Sequence, residues 1–230
     1  MKFSSQFIKK IKLTPNSVTT QIEPHDFIAE ICDMFCRINT ILIDFDRDIW
    51  LYVSRNLLKQ KTKNGEIGSS TMPHKINPID FENSEGNLGL ANALLKHFAE
   101  KLPISRLQRD LSDSTVLRNL GVAFGYSLLG YVSAIKGLDK IEINKEATSA
   151  ELNEHFEVLS EAIQTILRKV NFPNPYETLK KLTRGKKITQ EDVKKFILGL
   201  PLSKTEKEKL LNLTPEKYIG LAEKIAILVD

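Results

Sequence analysis

An all-α chain is the fold class this sequence predicts, and three features predict it. Apolar residues recur at helical spacing over long segments. Strand-like alternation never extends beyond a few residues, and helix start signals punctuate the last third. At 230 residues the chain can bury a substantial core. The helices divide into two groups, a long-helix bundle over 1–138 and a small all-helical domain over 139–230.

From Pro24 to about Leu58 the apolar seam runs through Phe27, Ile31, Met34, Phe35, Ile38, Ile41, Leu42, Phe45, Ile49 and Tyr52. A seam of that length predicts a helix of about 50 Å, a bundle strut rather than an ordinary globular helix. A polar stretch, KQKTKNGEIGSS, follows. After Pro78 a second helix is expected to run to about Lys101, where Pro103 stops it. Its Gly86, Gly89, Ala91 and Ala93 suggest close approach by other helices. A third helix, about Val116 to Leu138, is apolar almost all round and must be surrounded by helices of its own chain or of partner subunits. Beyond Leu138 one helix is expected from about Lys145 to Val170, then short ones. Asn174-Pro175 and Thr214-Pro215 pair a cap residue with Pro at the first helical position, and Thr189…Asp192 and Ser203…Glu206 have capping-box spacing.

Composition narrows the function classes. The net charge is +4, and the densest basic run is KKLTRGKK, Lys180–Lys187. No zinc-finger spacing or aromatic-interleaved platform accompanies that run, so a solvated surface is expected and nucleic acid is not an expected partner. Cys32 and Cys36 share a helix face without further ligands nearby, which reads as buried reduced thiols and no metal site. MKFSSQFIKKIKL lacks the apolar core of a signal peptide, and no run reaches membrane-spanning length. A soluble, cytoplasmic protein with no membrane partner is the expectation.

Two segments concentrate chemistry. In GEIGSSTMPHKINP (65–78) two glycines permit an adaptable backbone, two prolines fix it, and Ser69 and Ser70 precede Lys75 and Asn77. A serine hydroxyl is a poor base unless backbone N–H groups or a cation stabilise its alkoxide, and Lys75 and Asn77 are natural partners for a carboxylate. A catalytic loop and a helix-connecting turn capped by serines both fit these residue types. In RDLSDSTVLRN (109–119), Arg109, Arg118, Ser112, Ser114 and Thr115 gather cations and hydroxyls just before a helix. That set suits a phosphate; helix capping explains one or two of its members but not all.

GSSTMPHKINP resembles the signature loop of the fumarase/aspartase superfamily, G-S-S-x-M-P-x-K-x-N-P, whose members are long-helix tetramers that release fumarate or add to it. TTQIEPHD (19–26), PIDFENSEGNLG (78–89), RDLSDSTVLRN and TPEKYIG (214–220) are similar to its bacterial adenylosuccinate lyase family. The resemblance implies a long-helix bundle of that superfamily and a homotetramer. The implied reaction is β-elimination of fumarate from adenylosuccinate, giving AMP, and from SAICAR, giving AICAR, in purine biosynthesis, with no cofactor and no metal. It implies Ser69 as catalytic base and Ser70, Lys75, Asn77, Gln21 and Asn83 as substrate-binding residues. Arg109 and the run Ser114, Thr115 to Arg118 then hold the nucleotide and its phosphate. His74 falls at a variable position of the loop.

Family members are about twice as long, and the resemblance covers only their C-terminal half. The half not covered carries the general-acid histidine, and His25, His74, His97 and His155 do not match it. Family sites combine segments of three subunits, so this chain is expected to supply the base loop and phosphate segment and to be inactive alone. Two alternatives remain at this stage. Another fumarate-releasing lyase of the superfamily would find no use for the phosphate-suited segment. A non-catalytic helical assembly or nucleotide-binding fragment would find none for the serine loop.

Overall fold

The computed structural model describes residues 2–61, 77–183 and 188–228. Within them the chain is all-α apart from two three-residue strands, and it folds as two units, Met1–Glu142 and Ile143–Asp230. The first holds α1 (Lys2–Lys10), α2 (Asp26–Ser54), β1 (Leu58–Gln60), α3 (Ile79–Lys101), α4 (Ser112–Leu117) and α5 (Leu120–Leu138). β2 (Ile141–Ile143) pairs with β1 where the first unit passes into the second.

Helix α3 lies between α2 and α5 and runs antiparallel to both. Cross-links at opposite ends of the sequence order establish this: Arg47 Nε donates to Glu85 and Cys36 Sγ to the Asn92 carbonyl on one side, while Gly137 meets Phe81 and Gly130 meets Leu88 on the other. The buried residues of α3 (Phe81, Ser84, Leu88, Ala91, Leu95, Phe98) fall at helical spacing, so one helix fills both interfaces. Helix α5 offers α3 its small residues, Ala123, Ser127, Gly130, Ala134 and Gly137. A Cβ on Gly130 would stand 2.6 Å from Leu88, and one on Gly137 would stand 2.7 Å from the Phe81 ring. Gly137→Val is therefore expected to overpack this contact and cost about 2 kcal/mol, read as a lower urea midpoint.

The expected small-residue contacts need one correction. Gly86 and Gly89 of α3, and Gly121 and Gly125 of α5, have open space where a Cβ would go. Among the described residues, no helix of this chain approaches them. The third expected helix is also interrupted: α4 ends at Leu117 and α5 starts at Leu120, with Arg118 and Asn119 between. Its all-round apolarity divides into a small-residue face against α3 and an exposed face carrying Leu128, Leu129, Val132 and Ile135. Helix α2 likewise exposes Ile31, Met34, Ile38 and Ile41. Helix α1, amphipathic but without a buried residue, was outside the expected elements.

Polar groups punctuate this core. Asn39 Nδ2 donates to Asn92 Oδ1 and to Ser127 Oγ, both at 3.0 Å, and Tyr131 OH donates to Asn39 Oδ1. That network ties α2, α3 and α5 at mid-length and satisfies the buried amides. Cys32 and Cys36 are buried, free thiols on the same face of α2, and burial pushes both up from their ordinary range.

The second unit contains α6 (Lys145–Glu154), α7 (Ser160–Lys169), α8 (Pro175–Thr183), α9 (Gln190–Gly199), α10 (Lys204–Leu211) and α11 (Ala222–Ile227). The single helix expected from Lys145 to Val170 is broken. His155 leaves the helical region and a 3₁₀ turn, Phe156–Leu159, inserts before α7, which buries Phe156 and Leu159 with Ile163 and Leu167. Both capping boxes form: Thr189 Oγ1 accepts from Asp192 N at 3.2 Å and Ser203 Oγ from Glu206 N at 3.3 Å. Thr214 caps the 3₁₀ turn Pro215–Lys217. The side chains of most of the basic run, residues 181–187, lie outside the described ones. Among the described residues no helix is long and apolar enough to cross a membrane.

Candidate active site

Ser69, Ser70, His74 and Lys75 lie outside the described residues. The other candidate site residues fall in two groups at opposite ends of the first unit.

One group surrounds the start of α2, the end of α3 and α4. A cavity of about 170 Å³ is lined there by Thr20, Ile22, Glu23, His25, Ser105, Gln108 and Asp113, among others. Gln21 is exposed in the stretch that forms one wall, and Arg109 adjoins the opposite wall. The 105–112 turn is built around Asp110. Its carboxylate accepts from Arg106 Nε at 3.0 Å, from Ser112 N at 2.9 Å and from the Ser112 hydroxyl. The Ser112 hydroxyl and amide, then Arg106, hold that carboxyl far below the usual carboxylate range. Leu107 and Gln108 take positive φ, 49° and 72°, which turns the chain sharply before Arg109. Arg109 and Arg118 are exposed, so both guanidinium groups face solvent. Ser114 Oγ donates to the Leu111 carbonyl at 2.9 Å, an ordinary local bond that leaves its oxygen able to accept.

A contact that sequence reading missed joins the two walls. His25 Nε2 lies 3.4 Å from Asp113 Oδ2, and its Nδ1 lies 3.4 Å from Glu23 Oε2. Its backbone N–H donates to the same Glu23 oxygen at 2.7 Å. Glu23 Oε1 and Asp113 Oδ1 are buried and have no hydrogen-bond partner among the described residues. His25 sits at φ 61°, at the N-cap of α2, and this conformation aims its ring across to α4. No signal in the TQIEPHD string announces that pairing, because Asp113 is 88 residues away.

Asn77 and Asn83 form the second group. Asn77 precedes α3, and its carbonyl accepts from Ile79 N at 2.9 Å. Asn83 is exposed on the first turns of α3, beside the Trp50 Nε1–Glu82 bond of 3.0 Å. Along α3, Asn83 and Lys101 are separated by about 27 Å at 1.5 Å per residue. One chain thus brings Gln21, Arg109, Ser114, Thr115 and Arg118 to one end, and keeps Asn77 and Asn83 at the other. Among the described residues no group of three His, Cys, Asp or Glu is placed to hold a metal.

Residues 1–93 match the family model described as Lyase, and residues 105–219 match Adenylosuccinate lyase C-terminal. Adenylosuccinate lyase of Escherichia coli (strain K12) is 58% identical over 221 residues, 96% of this chain and 48% of that protein. Adenylosuccinate lyase of Vibrio cholerae is 58% identical over 222 residues, 96% of this chain and 49% of the relative. A crystal structure of 3-carboxy-cis,cis-muconate lactonizing enzyme from Pseudomonas putida shares the fold. Its TM-score is 0.69 at 21% identity, over 96% of this chain and 51% of that one. The chain spans about half the length of the curated relatives it matches. With half of its residues matched by the family's C-terminal model, the chain belongs to the adenylosuccinate lyase family.

Proposed function

We propose that this chain supplies the base loop and the phosphate-binding segment of an adenylosuccinate lyase, which cleaves adenylosuccinate to AMP and fumarate and SAICAR to AICAR and fumarate. The observation that carries this reading is the 58% identity over 96% of the chain, which takes in both chemistry-bearing segments. In the proposed mechanism Ser69, as alkoxide, takes a proton from the succinyl carbon beside a carboxylate. Lys75 and Asn77 hold that carboxylate and stabilise the enolate-like carbanion. The electron pair then forms the C=C bond of fumarate as the C–N bond breaks. The departing nitrogen is protonated by an acid from a family segment that this chain does not span. Gln21, Ser70 and Asn83 bind the rest of the substrate, and Arg109, Ser114, Thr115 and Arg118 take the phosphate. No metal, organic cofactor or nucleic acid enters the reaction.

The separation of the two residue groups supports a site assembled between subunits of a homotetramer in the cytoplasm. Each end of the bundle would then serve a different site. The exposed apolar faces of α2 and α5 and the open glycine notches would be where neighbouring subunits pack.

The test is adenylosuccinate cleavage, followed by absorbance, with the chain alone and then mixed with a full-length relative whose own signature serine is replaced by alanine. Activity is expected only in the mixture. No activity in a mixture shown by size-exclusion chromatography to contain both chains would overturn the reading. Turnover by the chain alone would overturn the assignment of the acid to another segment.

A further inference from the structure

We propose that Lys140 is a positioning residue for the lyase reaction, because it ties together Lys61 and the start of α3, the two chain ends that flank Ser69 in sequence; this rests on the function proposed above.

Lys140 follows α5, and its N–H donates to the Gly137 carbonyl at 3.0 Å, which fixes its backbone to the helix end. Its carbonyl accepts from Lys61 N at 2.7 Å, extending the β1–β2 pairing to the last residue before position 62. Its ammonium lies 2.7 Å from Asp80 Oδ2, while Lys136 Nζ lies 3.0 Å from Asp80 Oδ1. Asp80 stands in the first turn of α3, three residues after Asn77, and both its carboxylate oxygens are engaged. One residue therefore holds the outgoing end by its backbone and the returning end by its side chain.

The burial of the pair argues for position rather than strength. The Asp80 and Lys140 side chains are each 8% exposed. Burial pushes the Asp80 carboxyl up, but the hydrogen bonds and charges of Lys140 and Lys136 outweigh it and hold the group below its ordinary value. A buried pair of this kind gains little over an apolar pair of the same volume, whereas it admits only one geometry. The neighbouring Arg47–Glu85 pair has an arginine 68% exposed, so it tethers the same end of α3 far more loosely. The geometry held at Asp80 is inherited by Asn77 through the Ile79 N–H bond to its carbonyl and the bonds of Phe81 and Glu82 N–H to the Pro78 carbonyl.

The experiment uses the full chain as Lys140→Met, Asp80→Asn and Lys140→Arg, each mixed with the serine-less full-length relative, with kcat counted per chain that co-elutes with the relative. Lys140→Met and Asp80→Asn are expected to lower kcat about 10- to 100-fold with KM little changed, and Lys140→Arg to restore most of it. Amide exchange of each chain alone, followed by NMR, is the second readout: Lys61 and Phe81 amides are expected to exchange faster in the first two variants than in the parent. Parent-like kcat, or parent-like exchange at both amides, in both variants would overturn the proposal. If the parent mixture is inactive, the function proposed above falls while the exchange data still decide the tie. If Lys140→Met does not fold, Asp80→Asn, which keeps side-chain shape, decides it.

Discussion

Ser69→Ala in this chain is expected to lower fumarate release in the mixture by about 10²- to 10⁴-fold, the contribution of a positioned general base. The relative in that mixture has no signature serine of its own, so every productive site must draw its base from this chain. The loss should fall on kcat, since the base acts on a proton that moves only in the transition state, while KM changes little. Ser70→Ala, one position on, is expected to raise KM instead. Equal rates for the parent and the Ser69→Ala chain would remove Ser69 from the chemistry. Arg118→Met provides the contrast, from the end of the first unit away from Asn77 and Asn83. If the serine loop and the phosphate segment of one chain serve different sites, as proposed, a site that takes its loop from this chain and its phosphate segment from the relative should not respond to Arg118.

Helix α2 was legible from a periodic apolar seam, and α5 from a run of apolar residues long enough to need cover on every side. The ends of α3, at Pro78 and before Pro103, were legible because proline acts within one turn. Helix α2 was placed within two to four residues: His25 does not announce a start by type, whereas Asn56, at positive φ two residues past the end, is a stop type that the longer apolar seam overrode. The break between α4 and α5 was not legible. Arg118 carries no break signal, Asn119 alone is a weak one, and Val116 of α4 joins the core cluster that Leu95, Phe98 and Leu102 of the α3 end also line. The break at His155 has a similar cause, because Phe156 and Leu159 are drawn into one apolar cluster with Ile163, Leu167, Ile197 and Leu210. Which glycines meet a neighbouring helix of this chain was not legible: Gly130 and Gly137 meet Leu88 and Phe81 while Gly86 and Gly89 face open space, a distinction that depends on the face each occupies. For the site, residue types pointed to a phosphate-suited segment and a serine loop, but no local pattern could say that Asn77 and Asn83 stand at the opposite end of the first unit from Arg109 and Arg118. The Lys140–Asp80 and His25–Asp113 contacts join residues 60 and 88 positions apart, and nothing at either position signals the other.

Asp46→Asn is expected to stabilise the chain at neutral pH and to flatten its stability between about pH 4 and 6. Asp46 lies on the inner face of α2 with 1% exposure, and among the described residues only the buried Ser84 hydroxyl of α3 bears on its carboxylate as a donor, without forming a full hydrogen bond. Burial pushes its carboxyl up to about 6, with Ser84 opposing the rise and Glu85 adding to it. The sign follows from proton binding. Below about pH 4 the group is protonated in folded and unfolded chains alike and contributes nothing to the difference. Between about 4 and 6 the unfolded chain releases its proton first, so stability falls as pH rises. Above 6 the folded chain carries a buried carboxylate, and the full cost, about 3 kcal/mol for a rise from 3.8 to about 6, is present. Asparagine keeps the shape, carries no charge and offers an amide N–H to Ser84. Urea unfolding at pH 4, 5, 6 and 7 checks this: the two chains should be nearly equal at pH 4, with the variant ahead by up to about 3 kcal/mol at pH 7. Parallel pH profiles would mean that Asp46 is already paired or already neutral across this range. A donor that reaches Asp46 in the assembly would offset this cost. Repeating the pair of profiles on the mixture with the full-length relative tests that directly, since a donor supplied in the assembly would reverse the order of the two chains at pH 7.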